Sequence, residues 1–259
     1  MARHWQLLLT CEHASNAVPA ALQGCFKGAR AVLQTHRAYD IGALAVAQQM
    51  ARALHAPLIA GGITRLLVDL NRSEHHRQVH SAFAGGLSAS VRAGLIDQWH
   101  APFRAAAWSA LQRLVAAGPV LHLSVHSFAP VWHGEERNCD IGLLYDPARR
   151  GERQHARVLA AALRANKDGA RAKNAALGAR PAARALAAGK AVLPALRVRL
   201  NYPYRGNADG HTTSLRTLLP DAQYLGIEIE LNQALLQREP MRRAIADRLT
   251  AAMRLAFVQ

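Results

Sequence analysis

The sequence predicts an α/β fold, a single domain over residues 1–259, with a sheet covered by helices on both faces. Two observations carry this reading. Short, nearly unbroken apolar runs, the pattern of strands buried on both sides, recur along the chain. Longer amphipathic or Ala-rich stretches of helical length lie between them. A third observation concerns where the runs end: His13 follows one, His126 another, and the Glu228–Glu230 pair sits in the last.

Taken in order, Gln6 to Cys11 is a continuous apolar run closed by polar residues, hence a buried strand. Tyr39 to Leu54 has helical periodicity with Asp40 near its start, and Pro57 to Ala60 and Leu66 to Leu70 follow as short strands. Ser88 to Ala117 is mostly helical and should break near Pro102. Val120 to Val125 and Ile141 to Tyr145 are strands, and Arg153 to Arg164 is a helix. A second Ala-rich helix is expected between Pro181 and Ala188. Val192 to Leu200, interrupted by Pro194, fits an edge or bulged strand. Tyr224 to Leu231 is the last strand, and Pro240 to Phe257 is a closing helix with proline in its first turn. No repeat, linker or low-complexity boundary divides the chain. Polar, Gly-containing loops after Thr64, at His75 to Gly86, at Trp132 to Asn138 and at Asn201 to His211 are where functional groups are expected.

Composition narrows the class. A 51% apolar content is that of a globular chain, and no apolar run approaches the roughly 20 residues a membrane helix needs. The apolar start, Leu7 to Leu9, is too short for a signal peptide. Three cysteines without C-x-x-C spacing point to a reducing cytoplasm and away from a cysteine zinc site. The net charge of +15 raises nucleic-acid binding, but arginine supplies nearly all of it and only 5% of residues are aromatic. The expected partner is therefore a small molecule, with no specific nucleic acid and no membrane, and the charge serves to attract an anion.

Neutral imidazole at a strand end is a favoured metal ligand once a hydrogen bond fixes its tautomer. His13 and His126 both stand there, the second with Ser127 beside it to hold the ring. A catalytic zinc needs a third protein ligand and an open position. Asp40 is the preferred third ligand, with Glu12 and Asn16 behind it. Glu228 and Glu230 share one face of the last strand opposite Leu225, Ile227, Ile229 and Leu231. One of the two is the candidate general base. Asn71 and Arg72 end the Leu66 run with a donor array suited to a carboxylate, and Asp69 is placed to orient Arg72. Arg65 and Arg137 are further candidates, for a second carboxylate or for the oxyanion of a cleaved amide. His75, His76 and His80 lie in a polar loop and read as solvated.

At these residues the chain resembles the N-formylglutamate amidohydrolase family. The matching segments are Glu12–Asn16 with Val18–Pro19, Tyr39–Gly42, Arg65 with Asp69–Arg72, His126–Phe128, Asp140–Gly142, Asn201–Tyr204 with Gly210, and Ile229–Glu230. More distantly, D-L-N-R and H-S-F are similar to pieces of zinc carboxypeptidases and aspartoacylases. The resemblance implies a three-layer αβα sandwich with a mixed central sheet, of the phosphorylase/hydrolase-like kind. It implies hydrolysis of an N-acyl amino acid, N-formyl-L-glutamate first, with one zinc ion. It implies Glu230 rather than Glu228 as the base, a carboxylate clamp from Asn71 and Arg72, and further substrate contacts from Asn201 and Tyr204. Another N-acyl amino acid or small peptide, or anion binding without turnover, are the alternatives. Two departures stand out. Asn16 occupies the position where the carboxypeptidases carry a glutamate ligand. Ser124 stands where an acid often precedes the second histidine, so a weaker partner behind His126 is expected.

Overall fold

The computed structural model describes residues 5–165 and 193–257. Within these, the strands are β1 (Gln6–Cys11), β2 (Leu58–Ala60), β3 (Val120–Phe128), β4 (Val131–Trp132), β5 (Glu135–Glu136), β6 (Ile141–Leu144), β7 (Val198–Leu200) and β8 (Tyr224–Asn232). The α-helices are α1 (Ala43–Leu54), α2 (Ala89–Leu95), α3 (Ala101–Val115), α4 (Arg150–Arg164), α5 (His211–Leu218) and α6 (Glu239–Phe257).

Six strands form the central sheet in the order β2-β1-β3-β8-β6-β7. All neighbours are parallel except β8 and β6. The sheet is therefore mixed, with helices on both faces, and the three-layer expectation holds. β4 and β5 make a separate small hairpin where the sequence suggested a loop.

Parallel register stacks side chains of one face into rows, and the two faces differ in chemistry. Leu7, Leu9, Leu121, Leu123, Leu225, Ile227 and Ile229 pack with Val46 and Met50 of α1, Leu159 of α4 and Leu249 of α6 into the main core. Burial of such side chains gains about 1.5–3 kcal/mol each and anchors this face. The opposite face, toward α3 and α5, carries polar rows. Thr10 is in register with Ser124 and Ser124 with Glu228, and His126 is in register with Glu230. All five are buried. Burial at this cost requires partners or chemistry, and both are found at the C-terminal ends of the parallel strands.

Several local expectations change. Leu66 to Leu70 is not a strand. Leu66, Leu67, Val68 and Leu70 are buried, but they pack with Phe26, Ile63, Leu95 and Phe103 in an irregular turn outside the sheet. A short apolar run signals burial without specifying the backbone. Pro102 does not break the long helix. It sits in the first turn of α3, and a π turn at Ile96–His100 joins α2 to α3 without a gap, with Ala101 N–H donating to the Ile96 carbonyl. A π turn absorbs the disturbance where proline offers no donor. The predicted helix from Tyr39 begins only at Ala43, because Gly42 adopts φ +82° and residues 39–42 turn first. Of Val192 to Leu200, Val198–Leu200 forms edge strand β7. The helix expected at Pro181 to Ala188 lies outside the described residues.

Candidate active site

Three buried side chains from separate parts of the chain meet at the C-terminal ends of β1 and β3. His13 follows β1, His126 lies near the end of β3, and Asp40 sits in the turn before α1. One ligand-type atom from each falls within 4.8 Å of the others. The Asp40 N–H donates to the His13 carbonyl at 2.9 Å, which ties the two segments together by backbone. Asp40 Oδ2 lies 2.8 Å from His126 Nδ1 and 3.5 Å from His13 Nδ1, and it also accepts the Ser127 N–H at 3.2 Å. Its other oxygen accepts from the Arg65 guanidinium.

The ring nitrogens divide their labour. His13 Nε2 donates to Asp69 Oδ1 at 2.7 Å, while its Nδ1 is buried with no hydrogen-bond partner. His126 Nε2 faces Ser124 Oγ at 2.8 Å and Glu12 Oε2 at 3.2 Å, which leaves Nδ1 directed at Asp40. A ligating histidine has this arrangement, with one nitrogen held from behind and the other free toward the ion. His13, Asp40 and His126 thus fit a divalent metal, with the orphaned Nδ1 of His13 as the direct sign.

Charge differs between the two rings. Burial, reinforced by the Arg65 charge, pushes the pKa of His13 down to about 4, so this imidazole is neutral. Burial opposes protonation of His126 too, but is outweighed by the hydrogen bond and charge of Glu12, with Glu230 and Glu228 adding, and its pKa rises to about 9. A cation bound at Nδ1 would have to displace that proton, the usual coupling between metal binding and proton release.

Glu230 and Glu228 separate clearly. Glu228 accepts the Thr212 hydroxyl at 2.6 Å. Glu230 is buried, and its Oε2 has no partner. Burial raises the pKa of Glu230, against the opposing charges of His126, Arg65 and His13. A raised pKa and an unpartnered oxygen are the features a general base needs. On its antiparallel neighbour, Gly142 is opposite Glu230, where a Cβ would come 2.0 Å from the Tyr202 carbonyl oxygen.

The remaining candidates surround this centre. Arg65 has a buried Nε without a partner, and burial lowers its pKa. Arg137 donates to the Tyr204 hydroxyl at 3.0 Å and lies over the rings of Trp132, Tyr204 and Phe128. Arg72 Nη1 donates to the Asp209 carbonyl at 3.2 Å, and Asn71 Oδ1 accepts the His211 N–H at 2.7 Å, at the start of α5.

Several readings need correction. Asp69 holds His13, not Arg72, and its other contact is the Asn71 N–H at 2.9 Å. Glu12 is not among the clustered ligand atoms; its carboxylate lies behind His126 and accepts the Thr10 and Ser124 hydroxyls. Asn16 points away, donating to the Leu33 carbonyl at 2.8 Å. Ser127 donates to the Ile41 carbonyl, and Ser124 holds the His126 ring instead. Asn201 needs no such correction: its carboxamide oxygen accepts the Tyr145 and Gly206 N–H groups, which shapes the loop carrying Tyr204. The partner behind His126 is not weakened by Ser124, since Glu12, the first residue after neighbouring β1, supplies the carboxylate. His122 and Tyr224 were missed. Their signal was present in the alternation His122, Ser124, His126 along one face of β3.

Over residues 5–237 the chain matches a family model described as N-formylglutamate amidohydrolase. It is also similar to the crystal structure of a gene product from Agrobacterium tumefaciens. That likeness has a TM-score of 0.76 and 27% identity, over 98% of this chain and 91% of that one. No curated protein matches it.

Proposed function

The chain belongs to the N-formylglutamate amidohydrolase family, and from that premise we propose that it hydrolyses N-formyl-L-glutamate to glutamate and formate with the help of one zinc ion. The observation that carries the proposal is the unpaired, buried Nδ1 of His13 beside Asp40 and His126. These three residues would hold the ion. Bound there, zinc would polarise the formyl carbonyl and acidify the attacking water as a Lewis acid.

The protein's own groups supply the rest. Glu230, with one oxygen unpartnered, takes the proton of the attacking water and passes it to the departing amide nitrogen as the carbon–nitrogen bond breaks. Arg65 turns its free Nε to the carbonyl oxygen as negative charge develops there, while Asp40 keeps its guanidinium in place. Asn71 and Arg72 grip the α-carboxylate. Arg137, steadied by Trp132 and Tyr204, meets the side-chain carboxylate. The positive net charge draws the dianionic substrate in without making a nucleic-acid site. Cys11, Cys25 and Cys139 are free, in keeping with a cytoplasmic home, and among the described residues no helix is long and apolar enough to cross a membrane.

The test is elemental analysis of chelator-free protein together with an assay of glutamate release from N-formylglutamate. About one zinc per chain with turnover is expected, and His126→Ala should lose both. Zinc without turnover on this substrate would transfer the reading to another N-acyl amino acid. Absence of metal, with no activity after zinc addition, would overturn it in favour of anion binding without turnover.

A further inference from the structure

On the α3/α5 face of the sheet, a chain of buried polar groups leads away from His126. The Tyr224 hydroxyl lies 2.7 Å from His122 Nδ1, and His122 Nε2 lies 2.8 Å from Thr10 Oγ1. The Thr10 hydroxyl donates to Glu12 Oε1 at 2.7 Å, and the Ser124 hydroxyl donates to Glu12 Oε2 at 2.7 Å. Ser124 Oγ also lies 2.8 Å from His126 Nε2. Tyr224, His122, Thr10, Glu12, Ser124 and His126 are all buried.

Hydrogen bookkeeping fixes every direction in this chain. A hydroxyl has one proton. The protons of Thr10 and Ser124 are both committed to Glu12, so each oxygen must accept from the ring nitrogen that faces it. His122 therefore carries its proton on Nε2 and accepts the Tyr224 O–H at Nδ1. By the same reasoning His126 keeps a proton on Nε2, and Nδ1, whose proton faces Asp40 in the metal-free protein, is the nitrogen that offers a lone pair once that proton leaves. Both arms of the network point their donors toward one carboxylate.

We propose that Glu12 is the positioning residue for His126: aimed by Thr10 and Ser124, its carboxylate fixes the ring so that Nδ1, and not Nε2, faces the metal site. It stands in for the acid absent at Ser124, one strand away, because Thr10 and Ser124 are in register on β1 and β3. His122 and Tyr224 act one step further back by orienting the Thr10 hydroxyl. The role rests on the proposed metal site, but not on the identity of the substrate.

The experiment measures zinc affinity by competition with a chelator, and the His126 ring nitrogens by long-range proton–nitrogen correlation on zinc-loaded protein. Glu12→Gln should weaken zinc about 10–100-fold and disturb the signals of the Nδ1-bound, Nε2-protonated ring. Glu12→Gln with Ser124→Asp, which returns a carboxylate from the other strand, should restore most of the affinity. A purely structural role for Glu12 predicts no such rescue. Unchanged affinity and unchanged ring signals in Glu12→Gln overturn the assignment. Should that variant fail to fold, Thr10→Val reads the same affinity, and no loss there overturns it as well. Zinc affinity that responds to Glu12 in a protein inert toward every N-acyl amino acid would sink the proposed reaction and keep this role. Turnover with affinity indifferent to Glu12 does the reverse, and a wild type that takes up no zinc sinks both.

Discussion

Asp69 accepts a hydrogen bond from His13 Nε2 at 2.7 Å, across 56 positions of sequence. Asp69 is an acceptor only, so the proton sits on Nε2 and the lone pair of the ring is left on Nδ1. Asp69→Asn puts a group there that can donate as well as accept, and the ring loses its preference. Zinc affinity should fall about 10–100-fold with the fold intact. Chelator competition checks the affinity and circular dichroism the fold; an unchanged affinity would assign Asp69 to the backbone of the 69–71 turn alone.

Glu230 and Glu228 differ in what their oxygens meet, so their amides should differ in effect. Glu230→Gln should keep its zinc and lose about 10²–10⁴ in kcat. Glu228→Gln keeps an acceptor for the Thr212 hydroxyl and should retain most of its turnover. Steady-state kinetics alongside metal analysis decides the matter, and equal losses in the two variants would count against Glu230 as the base.

Gly142 faces Glu230 across the antiparallel pair. An added Cβ would lie 2.0 Å from the Tyr202 carbonyl oxygen and 3.2 Å from the Glu230 Cβ. Gly142→Ala should therefore cost about 1–3 kcal/mol in a urea titration and lower kcat, because β8 and the Tyr202 loop cannot both stay in place. A variant as stable and active as the parent would mean that the loop yields freely.

Stability of the metal-free protein should peak between two limits. Burial, reinforced for His13 by the Arg65 charge, holds the folded pKa values of His13 and His122 at about 4. Histidine in the unfolded chain titrates near 6.5. As pH falls from about 6.5 toward 4 the unfolded chain therefore gains protons that these rings refuse, and stability drops. His126 has the opposite sign. Its folded pKa is raised to about 9, so its contribution is complete below about 6.5 and lost as pH rises through 9. Denaturation of chelator-treated protein at several pH values checks this; a steady rise toward either end would contradict it.

The elements that were legible in the sequence are those with a period. Alternation along Tyr224–Asn232 separated the Glu228 and Glu230 face from the apolar one, and strand ends located His13 and His126. Asp40 was found as a residue type near a helix start, although it stands in the turn that precedes the helix. What could not be read was partnership over long separations. Asp69 beside Arg72 looks like an ion pair in sequence, whereas the fold gives it to His13. Glu12 looks like a ligand because it neighbours His13, yet adjacent residues leaving a strand point to opposite sides. Ser124 looked like a deficit because its compensation comes from β1, and register between strands is not written in either strand alone.

The irregular segment from Leu66 to Arg72 lies outside the sheet, and its backbone is fastened largely by side chains. His100 meets the Arg72 carbonyl at 2.8 Å, and Arg104 reaches the Arg72 and Leu70 carbonyls at 2.7 and 3.2 Å. Both come from the π turn and the helix that continues it. A strand can be re-aimed only by changing its register, which turns every side chain to the other face. Ser81 and His80 hold the Leu66 and Leu67 carbonyls in the same way, and a segment moored by side chains is free of that constraint. Divergence at positions 100 and 104 can shift Asn71 and Arg72, the carboxylate clamp of the proposed function, while the strand ends bearing His13 and His126 stay where they are.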